Sequence, residues 1–347
     1  MRPAPPSGPE ITVIGDGLAG SVLALCLAQG GARVRLIGAE RPMATALSYG
    51  ALPRGAPSRA WRRLERRHGP LGWRPSGLVF HDQRAGLPAQ LAALTRAVPL
   101  PLARVDAARW LAARGPALEA AGVHQLTGRI AGLQALAGGG WRLEGIPGAW
   151  SAANTVVLAA GASARRLWPT LPSRLRHSWA GVLHLETLTG AEGAAQRWLE
   201  QARRGRIVQP RHWRRPALEA ACATCPEPRW IVDAGLAPLG EGVVVGQISL
   251  IPPAEAPAAS GGGLEPPDPQ WMEARLREGL GALDPHLAAL EAPYRQVPVS
   301  FCQGGQPLAG PVAEAPGLWV FAGFSAAFSR VPRHAEQLAQ RMLASLR

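Results

Sequence analysis

Three glycines near the N-terminus have the spacing that a phosphate-binding turn requires. Gly15, Gly17 and Gly20 form the pattern Gly-x-Gly-x-x-Gly between the apolar residues 11–14 and the apolar stretch 21–29. In such a turn the first glycine permits the tight bend and the second lets a pyrophosphate approach the backbone. The third lets the following helix pack closely against the preceding strand. The sequence therefore predicts a dinucleotide site.

The elements around this turn must form a strand, a helix and a second strand. Residues 11–14 are a short β-rich apolar run, which predicts a buried parallel strand, and residues 34–37 predict the next strand. Between them, residues 21–29 predict a buried helix. The start of that helix presents unpaired N–H groups and a positive dipole end to the phosphates, which adds Leu18 and Ala19 to the predicted contacts.

The residue expected to bind the adenosine ribose is missing from its usual place. An acidic side chain ordinarily ends the second strand of such a unit and binds the ribose hydroxyls. Here Gly38 stands at that end, and the first acidic residue is Glu40. Two alternatives remain open: Glu40 reaches back to the ribose, or the ribose is held by another group.

The composition describes a globular protein with an unusual basic excess. The 347 residues have a mean hydropathy of +0.01 and a net charge of +13, from 37 basic and 24 acidic residues, and all 37 basic residues are arginine. Clusters of arginine at 62–67 and 203–215 could attract nucleic acid. No nucleic-acid-binding module accompanies them, so solvated basic faces are the favoured interpretation and nucleic acid is an unexpected partner.

The apolar N-terminal stretch does not predict a membrane segment or a secretion signal. A membrane helix would have to bury Asp16 among several glycines, whereas a strand, turn and helix accommodate the same residues without cost. Four cysteines do not suggest a disulfide scaffold, so we expect a reducing, cytoplasmic location. Cys222 and Cys225 form one isolated Cys-x-x-Cys pair, which we interpret as two ordinary thiols, and we expect no metal site.

Two later parts of the chain repeat the pattern of strand, turn and helix, and a β-rich region lies between them. Residues 155–167 again read as a buried strand, small residues and a helix start, and residues 317–346 return to a strand, a loop and a helix. From about residue 170, short alternating or β-rich runs separated by Gly/Pro turns predict a largely antiparallel sheet. The predicted fold class is α/β, or α+β overall: a Rossmann-type nucleotide domain with an inserted β-rich domain.

Three separated blocks resemble a known family. They are "ITVIGDGLAGSVLALCLAQGGARVRLIG" at 11–38, "TVVLAAGASARRL" at 155–167 and "GQPLAGPVAEAPGLWVFAGFSAAFSRVPRHAEQLA" at 305–339. Together they resemble the FAD-dependent oxidoreductases of the D-amino acid oxidase, glycine oxidase and sarcosine oxidase type. The resemblance implies non-covalent FAD, since Cys302 does not coincide with the position at which related enzymes link flavin. It also predicts the domain bounds: FAD-binding segments 1–56, 106–169 and 301–347, a substrate or cap segment 57–105, and a β-rich substrate domain 170–300.

The resemblance implies further cofactor contacts along the chain. It places a pyrophosphate loop, an adenine-facing strand, a flavin-side turn and a closing loop beside the isoalloxazine. The residues at these positions are Thr45, Ser48 and Gly50 in the first loop, Ile130 on the strand, Ala160 and Gly161 in the turn, and Gly323, Phe324 and Phe328 in the closing loop.

The substrate contacts depart from the family pattern. A basic residue ordinarily precedes the Pro-x-x-Gly-Pro stretch and clamps a substrate carboxylate, and Val299 stands there. Arg295, Arg330 and Arg333 are alternative anion-binding candidates, and Tyr49 is a candidate pocket residue. The resemblance implies oxidation of a small amine or amino acid by hydride transfer to flavin N5, with no catalytic side chain singled out.

Two other functions remain as alternatives, and the sequence predicts no particular oligomeric state. A flavin monooxygenase or hydroxylase shares the opening turn, although the Gly323-Phe324 dipeptide stands where those enzymes usually carry Gly-Asp. A non-catalytic or RNA-associated flavoprotein would explain the arginine clusters, and salt-sensitive RNA binding would support it. We expect a small-molecule substrate and no membrane partner.

Overall fold

The computed structural model describes residues 8–39, 43–81, 87–146, 148–186, 195–211, 214–222, 225–253 and 264–346. Its strands are β1 (Glu10–Ile14), β2 (Arg33–Gly38), β3 (Ala51–Leu52), β4 (Trp73–His81), β5 (Leu100–Val105), β6 (His124–Thr127), β7 (Arg129–Ala135), β8 (Trp141–Ile146), β9 (Ala149–Ala153), β10 (Thr155–Leu158), β11 (Leu175–Leu185), β12 (Ile207–Pro210), β13 (Arg229–Leu239), β14 (Gly242–Ile251), β15 (Tyr294–Cys302), β16 (Leu308–Pro311) and β17 (Leu318–Ala322). Its α-helices are α1 (Leu18–Gln29), α2 (Ala56–His68), α3 (Leu87–Ala97), α4 (Ala107–Ala120), α5 (Ala164–Leu167), α6 (Gln196–Arg203), α7 (Arg215–Ala221), α8 (Pro269–Gly281), α9 (Pro285–Ala288) and α10 (Ala327–Ser345).

The first sheet has six strands in the order β16-β17-β10-β1-β2-β6. All neighbours are parallel except the edge strand β16. β1 and β10 lie in the middle and are buried on both faces, which is why their sequences are continuously apolar. Ile11, Val13 and Val157 pack with α1 and α10 on one face, while Ile14 and Val156 pack under the small sheet β7-β8-β9 on the other.

The second sheet has eight strands in the order β15-β11-β14-β13-β12-β4-β5-β3, and β12 with β4 is its one parallel pair among the pairings of the described residues. One face packs on α6, α8 and α9 through side chains such as Trp198, Met272 and Leu276. The opposite face turns toward the carboxyl ends of the first sheet. The predicted fold class, a Rossmann-type domain with a largely antiparallel β-rich part, is confirmed.

Strands from several predicted segments share this second sheet. β4 and β5 come from 57–105, β3 comes from 1–56, and β15 crosses the predicted boundary at 300/301. Strand β5 connects these segments, because it pairs with β4 along six residue pairs and with β3 along two. The predicted domain bounds therefore do not coincide with the limits of the two sheets.

The remaining features of the surface and core are ordinary for a globular chain. The four cysteines are free and buried. α2 buries Ala60, Trp61 and Leu64 and exposes Arg62 and Arg66 on its opposite face. Among the helices of the described residues, none has both the length and the apolar character needed to cross a bilayer.

Candidate active site

A cleft of about 630 Å³ lies where the carboxyl ends of the first sheet meet the inner face of the second sheet. Its volume is within the range of small-molecule and cofactor sites. Parallel strands that end together at one edge of a sheet are the usual place for such a site. Most of the predicted cofactor residues line it: Gly15, Gly17, Leu18, Ala19, Thr45, Ser48, Gly50, Ile130, Ala160, Gly161, Gly323, Phe324 and Phe328.

The glycine turn has the geometry that its spacing predicts. Gly15 has a φ of +110°, and a Cβ on it would overlap the Ala159 carbonyl. A Cβ on Gly20 would overlap the Gly15 carbonyl, so Gly20 lies beneath the turn and packs the helix against it. A Cβ on Gly17 would overlap nothing, since the nearest atom to it is the Thr45 Oγ1 at 3.9 Å. The turn is therefore least obstructed at Gly17, where a ligand can approach the backbone.

The N-terminus of α1 can receive an anion on its backbone N–H groups. Its N-cap residue, Gly17, has no side chain to cap the helix, and no acidic residue stands in its first turn. Thr45 Oγ1 accepts a hydrogen bond from Leu18 N at 3.2 Å, which ties the loop at 44–47 to the start of the helix. Backbone donors and the helix dipole at this point suit a phosphate.

At the end of β2 an acidic side chain approaches from an unexpected direction. Glu40, the residue considered for the ribose, lies outside the described residues. Instead the Asp16 carboxylate lies against Gly38, and Arg114 Nη2 donates to Asp16 Oδ2 at 2.9 Å. Asp16 stands inside the glycine turn, but no ligand contact was predicted for it from the sequence.

The closing segment forms the other end of the cleft. Gly323 follows β17, and its carbonyl accepts a hydrogen bond from Cys302 N at 3.1 Å. Phe324 packs edge-to-face on Phe321 with ring centroids 4.7 Å apart. The Phe328 carbonyl accepts from Trp61 Nε1 at 2.6 Å. These contacts make the closing loop a fixed wall of the cleft.

Two charged side chains on the second-sheet side were not found from the sequence. Arg215 begins α7 and lines the cleft, with 17% of its side chain exposed. Its Nε donates to Glu219 Oε1 at 2.9 Å and its Nη2 donates to Ser178 Oγ at 3.2 Å. Glu219 Oε2 in turn accepts from Ser325 Oγ at 2.9 Å, which connects α7 with the closing loop.

Asp233 is the second of these side chains. It is 5% exposed, and Arg214 N donates to its Oδ1 at 3.3 Å. Its Oδ2 is buried and has no hydrogen-bond partner among the described residues. Desolvation by burial raises the pKa of Asp233 above its ordinary value, and the nearby donors of Arg214 and Arg215 oppose that rise. A carboxyl group with this environment is suited to exchanging a proton within the cleft.

The predicted substrate residues have different positions. Tyr49 lines the cleft and donates to the Gly246 carbonyl at 2.6 Å, and burial raises the pKa of its phenol. Arg295 is not among the cleft residues and pairs with the exposed Glu186 at 3.1 Å. Arg330 donates to the Gly305 carbonyl and is also outside the cleft lining. The described residues contain no group of three or more His, Cys, Asp or Glu side chains arranged for a metal.

Comparisons with known proteins agree with this architecture. Residues 84–341 match the sequence model of the DAO family, described as FAD dependent oxidoreductase. Curated proteins provide no significant match.

Solved structures share the fold over nearly the whole chain. Glycine oxidase from Geobacillus kaustophilus is similar with a TM-score of 0.65 at 16% identity, over 97% of this chain and 95% of that chain. Iminodiacetate oxidase from Chelativorans sp. BNC1 is similar with a TM-score of 0.63 at 18% identity, over 96% and 95%. L-amino acid deaminase from Proteus vulgaris is similar with a TM-score of 0.62 at 14% identity, over 99% and 95%. The resemblance stated from the sequence is confirmed: the chain belongs to the DAO family of FAD-dependent oxidoreductases and is an enzyme whose cofactor is FAD.

Proposed function

We propose that this enzyme oxidises a small amine or amino acid in the cleft between the two sheets. The observation that carries the proposal is a guanidinium, Arg215, and a partnerless carboxyl oxygen, Asp233 Oδ2, in the same cleft as the closing loop. A substrate with an amine and a carboxylate presents the complementary charges. The neighbours named as glycine oxidase and L-amino acid deaminase are of the same fold and support this class of substrate.

The cofactor contacts are part of the proposal. The unobstructed backbone at Gly17, the start of α1 with no acidic residue, and the Thr45 hydroxyl beside it fit the pyrophosphate. Ile130, Gly323 and Phe324 also line the cleft; Ile130 would face the adenine, and Gly323 and Phe324 would face the flavin. Bound FAD supplies a two-electron acceptor, while the protein supplies binding and orientation. We keep the division into FAD-binding segments 1–56, 106–169 and 301–347 around substrate segments 57–105 and 170–300 as the working domain assignment.

Arg215 replaces the carboxylate clamp that Val299 cannot provide. Its Nε and Nη2 are held by Glu219 and Ser178, and Nη1 has no hydrogen-bond partner among the described residues. A guanidinium fixed at two nitrogens and open at the third can bind a carboxylate with little loss of side-chain freedom. The substrate carboxylate is therefore expected beside α7.

Asp233 acts on the proton of the substrate amine. An amine must be unprotonated before it can lose hydride from the adjacent carbon, and a carboxyl group with a raised pKa can accept that proton at Oδ2. Tyr49 cannot take this role, because burial raises the pKa of its phenol and its hydroxyl is already donated to the Gly246 carbonyl. We assign Tyr49 to the wall of the cleft.

Anaerobic flavin reduction tests the proposal directly. Purified protein should be yellow and release FAD on denaturation. Its flavin should bleach on mixing with at least one member of a panel of amines, N-methyl amino acids and D- and L-amino acids. Failure of every member of the panel, together with reduction by a nicotinamide cofactor, would favour a monooxygenase instead.

A matched pair of variants tests the substrate contact. Arg215→Met should raise the concentration of a carboxylate-bearing substrate needed for half-maximal bleaching by about 10-fold or more, the loss of one charge-assisted hydrogen bond. Arg203→Met, at an exposed position on α6, should leave it unchanged. Equal behaviour of the two variants would show that Arg215 does not bind substrate.

A further inference from the structure

The end of β2 is occupied by a side chain from another part of the chain. Gly38 is buried, and a Cβ added to it would overlap Asp16 Cγ and lie 2.5 Å from Asp16 Oδ2. The Asp16 carboxylate therefore fills the volume in which a side chain at position 38 would begin. A residue at 38 larger than glycine and the observed position of Asp16 are mutually exclusive.

The carboxylate of Asp16 is held in this place by α4. Arg114 Nη2 donates to Oδ2 at 2.9 Å, and Arg114 Nη1 donates to the Asp16 main-chain carbonyl. Ser21 Oγ also donates to that carbonyl, at 2.8 Å. One guanidinium thus fixes both the backbone and the side chain of the residue inside the glycine turn.

The remaining oxygen of this carboxylate is available to a ligand. No group in the described ranges of the chain donates to Asp16 Oδ1, and 25% of the side chain is exposed. Asp16 lines the cleft together with Ile37, Ala39 and Ile130, at the end where the adenosine of a dinucleotide lies in this fold. An oriented carboxylate oxygen facing a cleft is an acceptor for hydroxyl groups.

We propose that Asp16 binds the adenosine ribose hydroxyls of FAD, with Arg114 as its positioning residue. In this chain the acidic group stands in the glycine turn and not at the end of the second strand. Glycine at position 38 leaves the space that the Asp16 carboxylate occupies. The inference concerns the cofactor and not the substrate, so a failure of the proposed amine oxidation would leave it intact.

The first test needs no mutation. Full-length apoprotein is titrated, by quenching of flavin fluorescence, with FAD and with FAD analogues that lack the adenosine 2′- or 3′-hydroxyl. At least one analogue should bind about 10- to 100-fold more weakly than FAD, the loss expected for a hydrogen bond to a charged group. Binding of both analogues within twofold of FAD would overturn the proposal.

The second test exchanges the two positions. Asp16→Gly should weaken FAD binding to the same degree and abolish the difference between FAD and the analogue. Gly38→Glu alone should also weaken binding, since its side chain would overlap Asp16. The double variant D16G/G38E should recover most of the FAD affinity and regain the discrimination against the analogue. Glycine is needed at 16 because even the Cβ of Asp16 lies 2.7 Å from the Cβ position at 38.

A third pair of variants separates ligand binding from a purely structural ion pair. Arg114→Met should weaken FAD binding and reduce the discrimination against the analogue, because the carboxylate loses its fixed position. Arg109→Met, on the same helix with 53% of its side chain exposed, is the control and should change neither. If Arg114→Met and Asp16→Gly lower thermal stability but leave the dissociation constants of FAD and its analogues unchanged, the ion pair is structural and the proposal is wrong.

Discussion

Asp106 joins the start of α4 to strand β5 and to the turn between β13 and β14, and we expect its removal to lower the stability of the fold strongly. Its carboxylate is 1% exposed. Oδ1 accepts from Ala108 N at 3.1 Å, Arg109 N at 3.3 Å and Gly240 N at 3.3 Å, and Oδ2 accepts from Arg104 Nη2 at 3.2 Å. It is at once a helix cap and the counter-charge of a buried guanidinium.

The magnitude follows from these two roles. Loss of an N-cap costs about 1 kcal/mol, and removing one member of a buried ion pair costs about 3–5 kcal/mol. Arg104 would keep only the Pro238 carbonyl among its described partners, at 3.1 Å from Nη1, and its Nε is already without a partner. Asp106→Ala should therefore lower the free energy of unfolding by about 4 kcal/mol. Asp106→Asn keeps a capping oxygen and should lower it by about 2 kcal/mol.

Urea unfolding followed by tryptophan fluorescence measures these differences. Asp268→Ala is the matched control, because Asp268 caps α8 through Gln270 N at 2.9 Å at an exposed position without a buried cation. It should lower the free energy of unfolding by about 1 kcal/mol. If Asp106→Ala and Asp268→Ala are equally destabilising, the buried pair contributes nothing and the reasoning is refuted.

Three further predictions concern the cleft and its walls. Gly15→Ala should abolish FAD retention in purified protein, whereas Gly139→Ala, also at positive φ but with open space around it, should retain FAD. Burial raises the pKa of Asp233 above its ordinary value of 3.8. As the pH rises from 3.8 through the raised pKa, the folded state therefore keeps a proton that the unfolded state has lost, and the free energy of unfolding falls. Asp233→Asn should increase the free energy of unfolding at pH 7 and flatten its dependence on pH in denaturation curves. Trp61→Phe removes the donor to the Phe328 carbonyl and should cost about 1–3 kcal/mol in urea unfolding.

The glycine turn and its flanking elements could be predicted because their signal is local. Gly15, Gly17 and Gly20 each have a separate steric role, and the strand and helix around them are contiguous in sequence. Helix α4 also carries a local signal, because the side chain of Asp106 caps its start. The parallel strands β1 and β10 are buried on both faces, and for that reason both could be recognised in the sequence as apolar runs.

The rest depended on contacts between distant residues. Asp16 and Arg114 are 98 positions apart, so the reason for Gly38 could not be found beside it. Arg215 and Asp233 lie on a short helix and on a strand with no motif around them. The sheet partners of the strands within 57–105 could not be read from the sequence, because antiparallel strands carry no local mark of which neighbour they will pair with.

The two faces of the second sheet have different roles. Along β13, Val232, Ala234 and Leu236 pack beneath the covering helices, while Asp233 between them faces the cleft. Because successive side chains of a strand point to opposite faces, a substitution on the cleft side leaves the packing on the other side untouched. Residues on the cleft face can therefore differ without altering which side chains pack beneath the covering helices.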